Sequence, residues 1–261
     1  IALQRLGKTE RVITEKLPPK FEYLTEGVEE QDFTADYIIS TDVAADSLLA
    51  PNMEKYLGKI DICIDHHGSN SVTAKEKFVD KYAAANCEII YKLLMRMGVN
   101  FTKQIVDCLY TGISTDTGCF RYTNTTADTF RIAASLVELG CNSAYINKVM
   151  FETKSKEKIM LEREVYDTIT YCADGKCAIV WVTLDMLNRL NIGEDEIEGL
   201  ASIPRQIEGV LIGITMKEKE GGFFKISVRT NGNIDAAKFC SRFGGGGHKA
   251  AAGCSVNGSL E

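Results

Sequence analysis

Two short apolar runs, each closing on an aspartate, set the tightest limit on what this chain can fold into: Tyr37-Ile38-Ile39-Ser40-Thr41-Asp42 and Ile60-Asp61-Ile62-Cys63-Ile64-Asp65. Their length and β-branched content read as buried strands, each delivering a carboxylate to its C-terminal end. Downstream, Ala83, Cys87, Ile90, Leu94 and Met97 recur at helical spacing before Gly98. A second helical stretch begins near Ile105 and passes through Gly112-Ile113-Ser114-Thr115 into Asp116-Thr117-Gly118, and a third runs from about Ala127 to Leu139. This alternation predicts an α/β domain with a doubly wound, mainly parallel sheet, in which ligands gather beyond the strand C-termini. Asp42, Asp65 and Asp116 are expected there.

The polar, charged stretch Phe151-Glu152-Thr153-Lys154-Ser155-Lys156-Glu157-Lys158 suits a connection between domains. It divides the chain into a first domain over 1–152, a linker over 153–160 and a second domain over 161–261. In the second, Cys177 to Thr183, Val210 to Met216 and Phe223 to Arg229 read as strands, and Gly221-Gly222 suggests a hairpin between the last two. Asp235 suits the cap of a short helix through Phe243. The expectation is a smaller α+β domain with a partly antiparallel sheet.

The net charge of −6 argues against a protein that grips long nucleic acid through many phosphate contacts, so any phosphate ligand is expected to be small. No apolar run approaches the roughly 20 residues of a membrane span, and the opening lacks the features of a signal peptide. Nine cysteines, scattered singly and without a Cys-x-x-Cys pair, suggest reduced thiols and a cytoplasmic chain. The opening Ile1-Ala2-Leu3-Gln4-Arg5-Leu6-Gly7 reads as the tail of a helix already under way, as though a segment preceded Ile1.

All three histidines of the chain stand beside residues with chemistry of their own. Asp65-His66-His67 ends the second apolar run, and His248 follows Gly244-Gly245-Gly246-Gly247. His66 with Asp42 and Asp116 forms a mixed imidazole and carboxylate set that suits Mn²⁺, with Mg²⁺, Fe²⁺ or Co²⁺ as competitors, and the lack of cysteine among them argues against structural zinc. The histidines equally suit a strand cap or a buried hydrogen-bond network. In Asp116-Thr117-Gly118-Cys119-Phe120-Arg121-Tyr122-Thr123-Asn124, a turn before a capped helix is the plain reading. The glycine run suits a flexible linker, or an anion nest of Gly245, Gly246 and Gly247 amides beside His248, with His248-Lys249-Ala250-Ala251 starting a helix or tight turn. Arg229 and Asn231, at the end of the preceding strand, would add charge and polarity to such a nest.

Taken together, Asp42, Asp65-His66-His67, Asp116-Thr117-Gly118-x-Phe120 and the distal Gly244 to His248 run with Ala251-Ala252-Gly253 resemble the DHH phosphoesterases that carry a DHH-associated C-terminal domain, and within them the bifunctional oligoribonuclease and pAp phosphatase group. The motifs occur in family order across most of the chain. The resemblance implies a two-manganese hydrolase, with Mg²⁺ or Co²⁺ as substitutes, and an active site in the inter-domain cleft. It implies that His66, Asp116 and Asp42 hold metal and that Asp65 and His67 act beside the ions. Arg121, Arg229, Asn231, Gly245, Gly246, Gly247 and His248 are the implied substrate contacts. The implied reaction cleaves very short oligoribonucleotides to mononucleotides and removes the 3′-phosphate of pAp, and the implied assembly is a homodimer.

The family's first motif, a histidine and two aspartates near the N-terminus, has no counterpart, because no histidine precedes His66. A segment upstream of Ile1 is the favoured explanation, with a fragment that binds nucleotide without hydrolysing it as the other. Hydrolysis of cyclic dinucleotides, polyphosphate or pyrophosphate by the same metal core, and a non-catalytic nucleotide-binding module, stand as alternative functions.

Overall fold

The two apolar runs form neighbouring parallel strands in the computed structural model, β1 (Ile39–Thr41) and β2 (Ile60–Asp65), with Ser40 opposite Cys63 and Thr41 opposite Ile64. The structure describes the whole chain except residues 15–16, 27, 29–30, 50, 194–196, 198, 232 and 259–261 and the side chains of Pro51 and His248. It divides into two units, Ile1–Thr153 and Lys154–Glu261.

In the first unit β2 is the middle strand, which is why its sequence is nearly continuously apolar. A third strand, β3 (Ala74–Val79), pairs with it in parallel to give the order β1-β2-β3. The sequence reading passed over β3: Ala74-Lys75-Glu76-Lys77-Phe78-Val79 is half charged and exposed from Lys75 onward, the composition of a strand at a sheet edge. Two short helices, α1 (Ala2–Arg5) and α2 (Glu22–Thr25), precede the sheet. Three longer ones follow it, α3 (Asn86–Arg96), α4 (Lys103–Asp116) and α5 (Ala127–Glu138).

These three helices share one core, with Leu94, Val106, Leu109, Ile113, Ile132 and Leu136 all buried. Their starts are fixed locally. The Thr102 hydroxyl accepts from the Ile105 amide, and Thr126 and Thr129 cap each other reciprocally at α5. Each such cap contributes about 1 kcal/mol. The Tyr23 and Thr111 hydroxyls lie 2.6 Å apart, which fastens α2 to α4. Helix α6 (Ser143–Asn147) then runs into a π-helical turn over Lys148–Glu152.

The charged stretch expected to be a linker over 153–160 is largely helical. The Ser155 hydroxyl accepts from the Lys158 amide and starts α7 (Lys156–Asp167), so the charges belong to its solvated turns, with Lys154 paired to Glu162 at 2.7 Å. The second unit then forms β4 (Thr170–Cys172), β5 (Cys177–Val182), α8 (Leu184–Leu190), β6 (Ile212–Lys219), β7 (Phe223–Thr230), α9 (Ala236–Ser241), β8 (Gly246–His248) and β9 (Ala251–Asn257). The sheet order is β4-β5-β6-β7-β9-β8; β5 and β6 run parallel and every other neighbouring pair antiparallel. Gly221 and Gly222 turn the β6–β7 hairpin at φ 91° and 77°, where a side chain is disfavoured. Asp235 caps α9 by accepting from the Lys238 amide, and α9 ends at Ser241, two residues short of the expected Phe243. Among the described residues no helix is long and apolar enough to cross a membrane.

Candidate metal centre

Asp42 leaves the end of β1 in the left-handed region, φ 59°, with its amide donating to the Ile64 carbonyl at 3.0 Å. Aspartate tolerates that conformation better than most residues, and strain of this kind collects at functional sites. The kink and the parallel register bring Asp42 beside the end of β2. His66 Nε2 stands 3.3 Å from Asp42 Oδ1 and 3.6 Å from Asp116 Oδ2. Its other ring nitrogen, Nδ1, faces the Ala83 carbonyl at 3.3 Å and donates to it, leaving Nε2 as the atom that meets the carboxylates.

Asp65 plays a different part from the one its sequence position suggests. It is fully buried, and its carboxylate accepts from the His66 amide (2.8 Å), from His67 Nδ1 (2.8 Å) and from Asn70 Nδ2 (2.6 Å). Burial pushes its pKa up, but these hydrogen bonds outweigh it and hold the carboxyl below its usual range. One ligand atom from each of Asp42, Asp65, His66 and His67 lies within 4.8 Å of the others. With its oxygens already engaged, Asp65 is suited to orienting His67, whose Nδ1 donates to it and whose Nε2 is thereby left the basic nitrogen, in the carboxylate–histidine pattern that supports metal ligands.

Asp116, expected where a helical stretch meets the region beyond the strand ends, is the last residue of the 14-residue helix α4, whose capped start and apolar face carry helical geometry through to it. A carboxylate at a helix C-terminus meets the negative end of the dipole. Burial, and next the charge of Asp42, raise its pKa to about 6, with His66 opposing. His66 moves the other way, to about 9, chiefly through its hydrogen bond to Asp42 and against the effect of burial. Two carboxylates therefore converge on one imidazole, which they hold in its protonated form. Oxygen and nitrogen donors with no thiolate fit a hard or borderline divalent ion.

Two asparagines that the sequence reading did not single out organise this cluster. Asn70 Nδ2 binds Asp65 and the Val43 carbonyl (2.9 Å), joining the segments that follow β1 and β2. Asn124 Nδ2 donates to the Ala84 carbonyl (2.9 Å) and the Asp116 carbonyl (3.2 Å), joining the end of α4 to the segment before α3. Their only signal in sequence was position, within Gly68-Ser69-Asn70 and the segment after Asp116. Asn70→Ala should lower divalent-ion affinity by about 10- to 100-fold, as loss of an outer partner does; calorimetric titration with Mn²⁺ checks this.

Arg121 lies in the same unit. Its Nε donates to the Gly118 carbonyl at 2.6 Å and its guanidinium sits 5.8 Å from the centre of the Phe151 ring. The remaining expected substrate contacts belong to the second unit. There Arg229 on β7 is opposite Ala251 on β9, which is opposite His248 on β8, so the three backbones form one row across the sheet. The side chain of His248 lies outside the described residues. Asn231 Nδ2 is engaged by its own fold, donating to the Val210 (3.0 Å) and Arg205 (3.3 Å) carbonyls.

The glycine run forms part of a sheet. Gly246–His248 is strand β8, Lys249-Ala250 makes the turn to β9, and the Gly245 amide donates to the Cys240 carbonyl at 3.0 Å, which removes it from any nest. A Cβ at Gly245 would stand 2.1 Å from the Gly253 oxygen, and one at Gly247 2.6 Å from the Ala251 oxygen. Gly245→Ala should therefore destabilise the second unit by about 1–3 kcal/mol, the usual result of overpacking, and a thermal or denaturant melt measures it.

Comparison with known proteins adds to this geometry. The model of the DHH family, N-terminal domain, matches residues 2–113, and that of the DHHA1 domain matches residues 174–261. The chain is 32% identical over 198 residues to the bifunctional oligoribonuclease and PAP phosphatase NrnA of Thermus thermophilus, covering 76% of this chain and 59% of the relative. It is 25% identical over 196 residues to the protein of the same name from Bacillus subtilis, covering 74% and 61%. The chain thus spans about three fifths of the length of these relatives. A crystal structure of an exopolyphosphatase-related protein from Bacteroides fragilis superposes with a TM-score of 0.79 at 25% identity, covering 87% of this chain and 68% of that one.

Proposed function

We propose, since this chain belongs to the DHH family and carries a DHHA1 domain after its DHH domain, that it is a metal-dependent phosphoesterase acting on very short oligoribonucleotides and on pAp. The observation that carries this reading is the convergence of His66 Nε2 on Asp42 and Asp116, beside a His67 oriented by buried Asp65.

In this reading Asp42, His66 and Asp116 hold divalent metal, Mn²⁺ first and Mg²⁺ or Co²⁺ as substitutes. Bound divalent ions polarise the phosphoryl oxygens and lower the pKa of an attacking water. The side chains supply the rest. The Ala83 carbonyl fixes the tautomer of His66. Asp65 fixes that of His67, which leaves Nε2 basic and able to accept or return a proton. Asn70 and Asn124 hold the contributing segments in register. Arg121 in the first unit, and Arg229, His248 and the Gly246-Gly247 backbone in the second, are the proposed substrate contacts. Gly245 and Asn231 are better assigned to shaping that region than to touching ligand, given their engaged amides. A homodimer and a cytoplasmic location belong to the same proposal.

The test is a side-by-side assay of pAp, a diribonucleotide and polyphosphate, with Mn²⁺ and with chelator. Phosphate from pAp and mononucleotide from the diribonucleotide, both only with metal, is the expected result. Turnover of polyphosphate alone would favour the second reading, an inorganic polyphosphate hydrolase, to which the exopolyphosphatase-related structure lends support. Nucleotide affinity that survives chelation, without turnover of any substrate, would leave a binding module. In the same assay Arg229→Ala should raise KM severalfold with little change in kcat, as removal of uniform binding does; an unaltered KM would end its assignment.

A further inference from the structure

The turn that follows β3 is tied to the metal cluster at two points. The Asp80 amide donates to the Asp65 carbonyl at 3.0 Å, and the Ala83 carbonyl accepts from His66 Nδ1 at 3.3 Å. Between them sits Tyr82, its backbone held by its amide's bond to Asp80 Oδ1 at 3.0 Å. Its side chain is left out in solvent: Tyr82 is 79% exposed, and Phe78 close by is 58% exposed. The backbone is thus pinned to the cluster while two aromatic rings stand largely in solvent.

The rings border an open depression of about 510 Å³ lined by Gly68, Phe78, Val79, Asp80, Lys81 and Tyr82. It begins at Gly68, the residue after His67. A Cβ on Gly68 would stand 3.3 Å from Lys81 Cβ, so glycine keeps this floor low. Lys81 Nζ lies 5.2 Å from the centre of the Tyr82 ring, which puts a cation and an aromatic face side by side. An apolar patch rimmed by charge marks a binding surface. Six lining residues fall well short of the roughly 20–30 per side of a stable protein interface. An aromatic face with an adjacent ammonium is, however, matched to a nucleobase and the phosphate attached to it.

We propose that Tyr82 and Phe78, with Lys81 beside them, form a stacking shelf for a nucleobase of the substrate whose phosphate lies at the Asp42–His66–Asp116 cluster. The proposal rests on the phosphoesterase reading above and adds to it a base-recognising subsite within the first unit. Stacking accepts every base, so the shelf would select for nucleotides over inorganic phosphates without selecting among sequences.

The test is fluorescence titration of the intact chain, with Mn²⁺, by 2-aminopurine riboside 5′-monophosphate, whose emission is quenched on stacking. Ribose 5-phosphate serves as the base-free competitor. Wild type should quench the probe. Tyr82→Ala should weaken its binding by on the order of tenfold, the loss of one stacked base, while ribose 5-phosphate binds as before. Tyr82→Phe should restore quenching, because the face is kept. Exposure of the side chain makes the substitution safe for folding, and circular dichroism checks it. Absence of quenching in wild type, or equal probe affinity in Tyr82→Ala, would overturn the shelf. So would a change of sedimentation mass in Tyr82→Ala, which would make the surface a contact between copies. Quenching that depends on Tyr82 in a chain that hydrolyses none of the three assay substrates would sink the hydrolase reading and leave the subsite. Metal-dependent hydrolysis with Tyr82-independent affinity would do the reverse.

Discussion

His66→Ala and Asp116→Ala should each reduce the proposed metal-dependent phosphoester hydrolysis by more than the ~100-fold typical of losing an outer partner, because in the proposed site each is a direct donor to the ion. Both should leave the fold in place. Asp116 terminates a helix whose core residues Ile105, Val106, Leu109 and Ile113 are untouched, and His66 follows the last residue of β2. Asp116→Asn is the sharper variant, since it keeps the volume and removes the charge. The readout is double: kcat with Mn²⁺, and ion affinity by calorimetry or by electron paramagnetic resonance of free Mn²⁺. Undiminished ion affinity in either alanine variant would remove that residue from the metal set, whatever happened to turnover.

Metal uptake should release protons and strengthen steeply with pH. The raised pKa of His66, about 9, means that the metal-free imidazole is still protonated at pH 7, whereas an ordinary histidine would have lost its proton near 6.5. A metal ligand must be the neutral ring, so the ion displaces that proton. Raising the pH therefore favours binding: about tenfold in apparent affinity per pH unit between 6 and 9, levelling above 9. Below about 6, the raised pKa of Asp116 adds a second proton and the dependence approaches about 100-fold per unit. Calorimetry of Mn²⁺ binding in two buffers of different ionisation heat counts the protons, with about one expected at pH 7. An affinity flat between pH 6 and 9 would take His66 out of the metal set.

Much of the metal cluster was legible in the sequence. β-branched runs ending in Asp42 and Asp65 read as short strands, and strand ends are where α/β sheets gather ligands, so the local pattern put Asp42 and Asp65-His66-His67 in one region, where the fold brings their ligand atoms within 4.8 Å of one another. The helical stretch from Ile105 into Asp116 was legible from its apolar spacing, and the structure ends that helix at Asp116 itself. β3 went unread because an edge strand needs few apolar residues. Asn70 and Asn124 went unread because asparagine after a turn is ordinary; only the folded chain reveals which carbonyls it joins. The glycine run teaches a different lesson. Glycine permits close approach, but sequence does not tell whether the approaching group is a ligand or the chain's own next strand, and for Gly245 and Gly247 it is β9.

The parallel register of β1 and β2 carries one more consequence. Asp42 and His66 meet because Thr41 faces Ile64 across the ladder and the Asp42 amide reaches the Ile64 carbonyl, not because the intervening chain has a particular contour. The stretch through Pro51–Tyr56 can accordingly lengthen at small cost, about 0.6 kcal/mol for each doubling of a flexible loop, without moving either side chain. That makes it a natural insertion point for a reporter or an affinity handle, one that would travel with the Asp42–His66 pair and leave its geometry as it is.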